Sequence, residues 1–359
     1  MHPIFSPKVL AAAQKQIRRL QQYPDLQHKA VLIQDKDELV SKHVPNAIAA
    51  IYQPDAAKCW PYKLVTWLLE RLLDEHDATV FNLQTNTLVQ RLERCGWSWI
   101  VHTQRGQIRA QDVLLASNAY TSYLLPEMTG LITPVRGQVC ALELPPGATQ
   151  LPHSYVWMKG ADHQYLIQRG PEDAQAGDGS KPSHSEDRSI IFGGERLAVP
   201  YGEEGISCDD EINPILSQAL HRCLSDALRL VPKSESDTEH KAEAEVLRAT
   251  YEWTGIMGYS SDGGPWVGRV PELLLGELSP DADSAEASAG RLWIGAGFTG
   301  HGMPVAARCG IAVAEMILGK EGGIQVPKCW IASEERAKTA RGMSLPRTLD
   351  EIIKCLPIE

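Results

Sequence analysis

Gly295, Gly297, Gly300 and Gly302 fall between a short apolar run, Leu292-Trp293-Ile294, and a longer one from Pro304 to Leu318. The G-x-G-x-x-G spacing lets backbone approach an electron-rich group with no side chain in the way. A helix starting just beyond it would add unpaired N–H groups and a partial positive charge, which favour a bound anion or developing negative charge. A dinucleotide-binding unit beginning here would also need an acidic residue at the end of a second strand. Glu315 instead falls inside the helical run, and Pro327 interrupts the segment that follows. A tight strand–helix turn that packs closely and holds no ligand explains the same spacing.

Other residue types extend the possible chemistry. Arg136, Arg169 and Arg196 lie on or beside strand-like runs. A guanidinium there can clamp a carboxylate through two parallel hydrogen bonds, or form an ordinary strand-edge ion pair. Trp157, Tyr165, Trp253, Tyr259 and Trp266 are either the lining of an aromatic pocket or core. Histidine as a residue type can exchange protons near neutral pH, and His301 is either a catalytic group or a capping or packing residue. The eight cysteines are scattered without a C-x-x-C pair, so neither a disulfide framework nor a metal site is expected.

The elements that must position these residues are mixed. Residues 7–22 read as a helix with Val9, Ala13, Ile17 and Leu20 on one stripe, and Pro61 to Asp77 as a second. In that second helix Leu64, Trp67, Leu68, Leu72 and Leu73 form an apolar face. Residues 79–83, 98–103 and 107–118 read as short strands, the last two joined by the turn Gln104-Arg105-Gly106. Longer strands are expected in 137–144, 163–169 and 189–196, with solvated loops in 170–188, 232–245 and 276–290. The net charge of -10 and the absence of a dense basic run argue against nucleic acid. No signal-like or membrane-length apolar run is present, so a soluble, cytoplasmic protein is expected.

Several blocks, in order, resemble the superfamily of FAD-dependent D-amino-acid oxidases and glycine/sarcosine oxidases, with gamma-glutamylputrescine oxidoreductase-like members the most similar. GAGFTGHGMPVAARCGIAVAEMILG resembles the segment whose helix points at the flavin's pyrimidine edge. Pro61–Val65 is similar to the helix returning to the FAD domain, Asn86–Val89 to the strand whose valine meets the adenine, and Val113–Tyr120 to the strand end beside the cofactor. Pro134–Gln138 resembles the start of the substrate-domain sheet, and Trp253–Tyr259 with Asp262, Pro265 and Gly268 the block near the active site.

The resemblance implies a two-domain mixed α/β (α+β) flavoprotein fold, with a partial FAD-binding sheet and an antiparallel substrate-domain sheet. The expected division is a substrate-domain helix and connection in 1–60, partial FAD-binding domain in 61–120 and substrate domain in 121–287. The flavin-contacting strand and helix then occupy 288–320, and an extension 321–359. It implies FAD contacts from Val89, Ala116, Ser117, Pro265, Gly297, Phe298, Thr299, Gly300, His301, Gly302 and Met303. Tyr259, Trp253, His301 and Arg136 are the implied catalytic residues. The family's opening G-x-G-x-x-G unit has no counterpart, since no glycine precedes Gly96, and an N-terminally truncated form is expected. Gly255 stands where sarcosine-oxidase-type members carry a flavin-linking cysteine, so FAD would be non-covalent. The implied reaction passes a hydride from the carbon beside nitrogen in a small amine or amino acid to the flavin, with secondary metabolism as one setting. The alternative is a flavin-free remnant with a binding role.

Overall fold

The structure is a computed structural model and describes residues 1–170, 189–222, 224–231, 246–278, 290–320 and 323–355. The expectations for most of the three loop segments lie outside these residues; Gly276–Leu278 forms a single 3-10 turn.

A five-stranded antiparallel sheet carries the centre of the molecule. It comprises β8 (Ile132–Leu142), β9 (Tyr155–Lys159), β10 (Asp162–Gln168), β11 (Ile190–Gly193) and β12 (Ala249–Ser260), in the order β12-β8-β11-β10-β9. Because successive side chains alternate, the register divides these strands into two faces. Cys140, Leu142, Tyr155, Trp157, Leu166, Ile190 and Phe192 point one way and form a core with Leu39, Val44 and Leu220. Val139, Gly193, His163, Tyr165, Trp253, Gly255, Met257 and Tyr259 point the other way, onto a face that solvent reaches.

A small antiparallel sheet extends this architecture at one side. It pairs β1 (His2–Ile4), β3 (Ala49–Tyr52) and β2 (Val31–Ile33), in the order β1-β3-β2. Strands of three and four residues are too short to show a repeat in the sequence. Helix α1 (Pro7–Leu20) follows β1, with Pro7 in its first turn, Arg18 and Arg19 in its last, and Ala13 and Ile17 buried. Asp35 caps the short helix α2 (Lys36–Ser41) by accepting from the Glu38 amide at 2.8 Å.

The remaining strands make two three-stranded sheets. β4 (Val89–Cys95), β5 (Ser98–Thr103) and β6 (Gly106–Ala110) form a meander, with the hairpin at the turn read from sequence. β7 (Asp112–Leu115) pairs in parallel with β14 (Arg291–Ala296), and β13 (Trp266–Arg269) lies antiparallel on the other side of β14. Arg291 bridges Asp112 through two hydrogen bonds of 2.7 and 2.9 Å, locking the parallel register. Residues 79–83, expected as a strand, form none, and β4 begins only at Val89.

Helix α3 (Pro61–Glu75) has the expected apolar face but buries none of its residues. Tyr62, Leu64, Val65, Trp67, Leu68, Leu72 and Leu73 are all exposed. Further along the chain lie helices α4 (Pro214–Arg222), α5 (Ala306–Ile317) and α6 (Glu334–Ala340). A last helix, α7 (Leu349–Cys355), packs back toward α1, where Lys8 meets Asp350 at 2.9 Å. Among the described residues no helix is long and apolar enough to cross a membrane.

Candidate functional site

The glycine segment begins where β14 ends. The chain reverses through Gly297, Thr299 and Gly300, all at positive φ (77°, 52° and 73°), and reaches α5 at Ala306. Two anchors hold it. Asn118 Oδ1 accepts from the Gly297 amide at 2.9 Å and the Phe298 amide at 3.4 Å. From β12, the Gly258 carbonyl accepts from the Thr299 amide at 2.7 Å, and the Ser260 amide donates to Thr299 Oγ1 at 3.1 Å. A Cβ at Gly258 would come within 2.6 Å of Asn118 Oδ1, so glycine there permits the approach.

These anchors use the amides of Gly297, Phe298 and Thr299, while His301 donates its amide to the Phe298 carbonyl. Among the described residues, the amides of Gly300, Gly302 and Met303 have no hydrogen-bond partner. Three adjacent donors therefore remain for an acceptor. Beside them, His301 Nδ1 lies 2.6 Å from the Thr299 carbonyl. A carbonyl can only accept, so Nδ1 carries a proton, and in the neutral imidazole Nε2 is the ring nitrogen with the lone pair.

The open face of the large sheet meets this segment. The Tyr259 hydroxyl lies against Gly300, where a Cβ would sit 3.2 Å from it, and the rings of His163 and His301 stand edge to face at 5.7 Å. Burial lowers the His163 pKa to about 4, with smaller contributions from the His301, His2 and Arg196 charges. Its imidazole is neutral at physiological pH. Burial likewise pushes the Tyr165 hydroxyl up to about 12 and raises that of Tyr259. All three side chains touch solvent yet have protein on most sides, which describes residues lining a recess. Arg196 lies 5.3 Å from the Tyr259 ring and donates to the Gly202 carbonyl at 2.9 Å.

The other residues singled out from sequence are spread more widely. Trp253 shares the open face and is 40% exposed. Arg136 occupies the opposite face: its Nε lies 2.5 Å from Glu203 Oε2, both side chains are buried, and Asn213 also donates to Glu203. Trp157 stacks on Phe192 in the core, and Trp266 is fully buried, its indole N–H donating to Ser260 at 3.0 Å. Arg169 lies over the Trp60 ring at 5.2 Å. Val89 opens β4 in a separate sheet, while Ala116 and Ser117 lead into Asn118. Met303 is exposed, and the Pro265 carbonyl is buried beneath Arg336, which donates to it at 2.9 Å.

Three residues of this arrangement escaped the sequence reading. Asn118 stood inside a recognised block, but its role as a clamp depends on a glycine 179 positions away. His163 lay in an expected strand with no motif to mark it. Arg336 on α6 pairs with Asp262 at 2.7 and 2.9 Å, so the acidic residue of the Trp253–Gly268 block is an anchor for the turn below β12.

This site fits the edge of a flavin. A ring edge rich in acceptors suits the unpartnered Gly300, Gly302 and Met303 amides, and helix α5 begins three residues after Met303, at Ala306. No metal-holding cluster of His, Cys, Asp or Glu occurs among the described residues.

Comparison with known proteins agrees with that class. Residues 3–316 match the DAO family, described as FAD dependent oxidoreductase, and the chain belongs to that family. Its fold superposes on glycine oxidase from Geobacillus kaustophilus with a TM-score of 0.64 at 15% identity, over 93% of this chain and 74% of that one. L-proline dehydrogenase from P. horikoshii gives 0.64 at 18% identity, over 96% and 77%. Iminodiacetate oxidase from Chelativorans sp. BNC1 gives 0.60 at 17%, over 91% and 73%. At these identities the likeness establishes the fold. No curated protein sequence matches the chain.

Proposed function

We propose that the protein oxidises the CH–NH bond of a small amine or amino acid in the recess between the glycine segment and the open face of the large sheet, with FAD held non-covalently. The observation that carries this reading is the set of three unpartnered amides, Gly300, Gly302 and Met303, beside the accessible Tyr259, His163 and His301. When bound, FAD supplies the two-electron acceptor for the substrate C–H bond. The three amides would hold the acceptor edge of its ring, as fixed donors that need no reorganisation as charge develops.

The remaining work falls to the recess. Tyr259 and Tyr165, both protonated at neutral pH, and the neutral His163 present an uncharged lining. Such surroundings disfavour an ammonium ion and so bring the substrate nitrogen to its neutral form. The Nε2 lone pair of His301 can accept a hydrogen bond from that nitrogen and orient it. With the amine neutral, alignment of its C–H bond is the main requirement. Arg136, neutralised by Glu203 on the opposite face, acts in this reading by holding β8 in place.

The test is the visible spectrum of the 359-residue chain with and without added FAD. Uptake of FAD, its release on denaturation, and bleaching by an amine are the expected results. A colourless protein that takes up no FAD would overturn the enzymatic reading and leave a binding role.

A further inference from the structure

An apolar cavity of about 200 Å³ lies at the edge of the open face, beyond His163. Its walls come from six separate elements, β1, α1, β3, β9, β10 and α7, with Val9, Ile51, Val156, Met158 and Ile352 supplying apolar surface. Among the described residues, no Asp, Glu, Lys or Arg lines it. Its polar groups are Gln16 and two imidazoles, His2 and His163. The His2 Nε2 is satisfied by Gln53 at 2.8 Å, and burial lowers the His2 pKa. A space with so few free polar partners holds water poorly and gains from an apolar occupant.

His163 connects this cavity to the site. Its ring forms part of the cavity wall and also meets the ring of His301 at 5.7 Å. A substrate whose nitrogen lies against His301 can therefore pass a substituent across His163 into the cavity.

We propose that the cavity holds the hydrocarbon substituent of the substrate, so that the preferred substrate is an amine bearing an extended apolar chain. This rests on the function proposed above. The cavity wall selects by apolar contact, and the absence of charge among its lining residues turns away a substituent that ends in carboxylate or ammonium.

The experiment measures dissociation constants of n-butylamine, n-hexylamine and n-octylamine for the full chain mixed with FAD, by calorimetry. Affinity is expected to rise about fourfold per added methylene until the cavity is full. Val156→Trp and Ile352→Trp each place an indole in the cavity, from the strand wall and the helix wall. Both should abolish the dependence on chain length and leave butylamine affinity little changed. Far-UV circular dichroism checks folding, and the half-buried Ile352 supplies the informative variant if Val156→Trp does not fold. Affinities independent of chain length, or a length dependence that survives Ile352→Trp, would overturn the proposal. The FAD titration reads the other claim separately. Length-dependent binding by a chain that takes up no FAD leaves the cavity assignment standing and defeats the enzymatic reading. FAD uptake with indifference to chain length does the reverse.

Discussion

Asn118 and Gly297, 179 residues apart in the chain, are joined by a 2.9 Å hydrogen bond from the glycine amide to the asparagine Oδ1. This contact ties the end of β7 to the start of the glycine segment and fixes which amides stay free for a ligand. Asn118 itself sits at a φ of 43°, a conformation asparagine tolerates better than most residues. Asn118→Gly relieves the backbone but removes the acceptor, and should cost about 1–3 kcal/mol. Asn118→Ala adds a left-handed backbone penalty of about 1–2 kcal/mol. Thermal unfolding should rank wild type above Asn118→Gly above Asn118→Ala. If Asn118→Gly melts with the wild type, the clamp contributes nothing.

Gly193 and Tyr165 form a second dependent pair. The Tyr165 ring lies across Gly193, and a Cβ there would run into it. Gly193→Ala should therefore destabilise the protein by about 1–3 kcal/mol through overpacking. Adding Tyr165→Ala should recover most of that loss, a non-additivity read from denaturant midpoints of the two single variants and the double. Additive losses would show that the cost of Gly193→Ala does not come from the Tyr165 ring.

His163 makes stability depend on pH in a defined window. Its folded pKa of about 4 lies below the ordinary 6.5, so the unfolded chain takes up the proton first as pH falls. The contribution of His163 is complete above 6.5 and is lost progressively down to about 4. His163→Gln should flatten the pH dependence of the unfolding midpoint in this range. In the wild type, the His163 ring protons in NMR spectra should hold neutral shifts at pH 6; a midpoint near 6.5 would show that solvent, and not protein, surrounds this ring.

Asp262 and Arg336 test the anchor beneath β12. Burial alone would raise the Asp262 pKa, but hydrogen bonds from Arg336 and Ser260 outweigh it and hold it below 3.8. The pair therefore stabilises fully above that value and weakens as pH falls further. Removing one partner strands the other, so Arg336→Ala should cost about 3–5 kcal/mol. A loss below 1 kcal/mol, by the usual scale of exposed pairs, would mean that solvent screens the pair.

The exposed face of α3 predicts the opposite kind of result. Leu68→Lys and Leu72→Glu remove no buried contact in this structure, and each should change stability by less than about 0.5 kcal/mol. A marked fall in melting temperature for either would show that the face is covered in solution.

Much of this protein is determined by local sequence. Pro7 and the Val9–Ala13–Ile17 stripe define α1, Gln104-Arg105-Gly106 turns β5 into β6, and glycine spacing marks the segment between β14 and α5. The ordered blocks from Pro61 to Leu318 were sufficient to read the family. Period and turn chemistry act over a few residues, so a single chain displays them openly.

What only the tertiary structure decided depends on residues far apart. Alternation along β8 shows that Arg136 and Val135 point opposite ways, but Glu203, 67 residues later, decides that the arginine side is closed. The same holds for the clamp by Asn118, for His163 between cavity and glycine segment, and for a cavity walled by six elements from β1 to α7. Even α3, whose apolar stripe was plain in the sequence, left its burial undetermined, since a helix can show a hydrophobic face but only its neighbours can cover it.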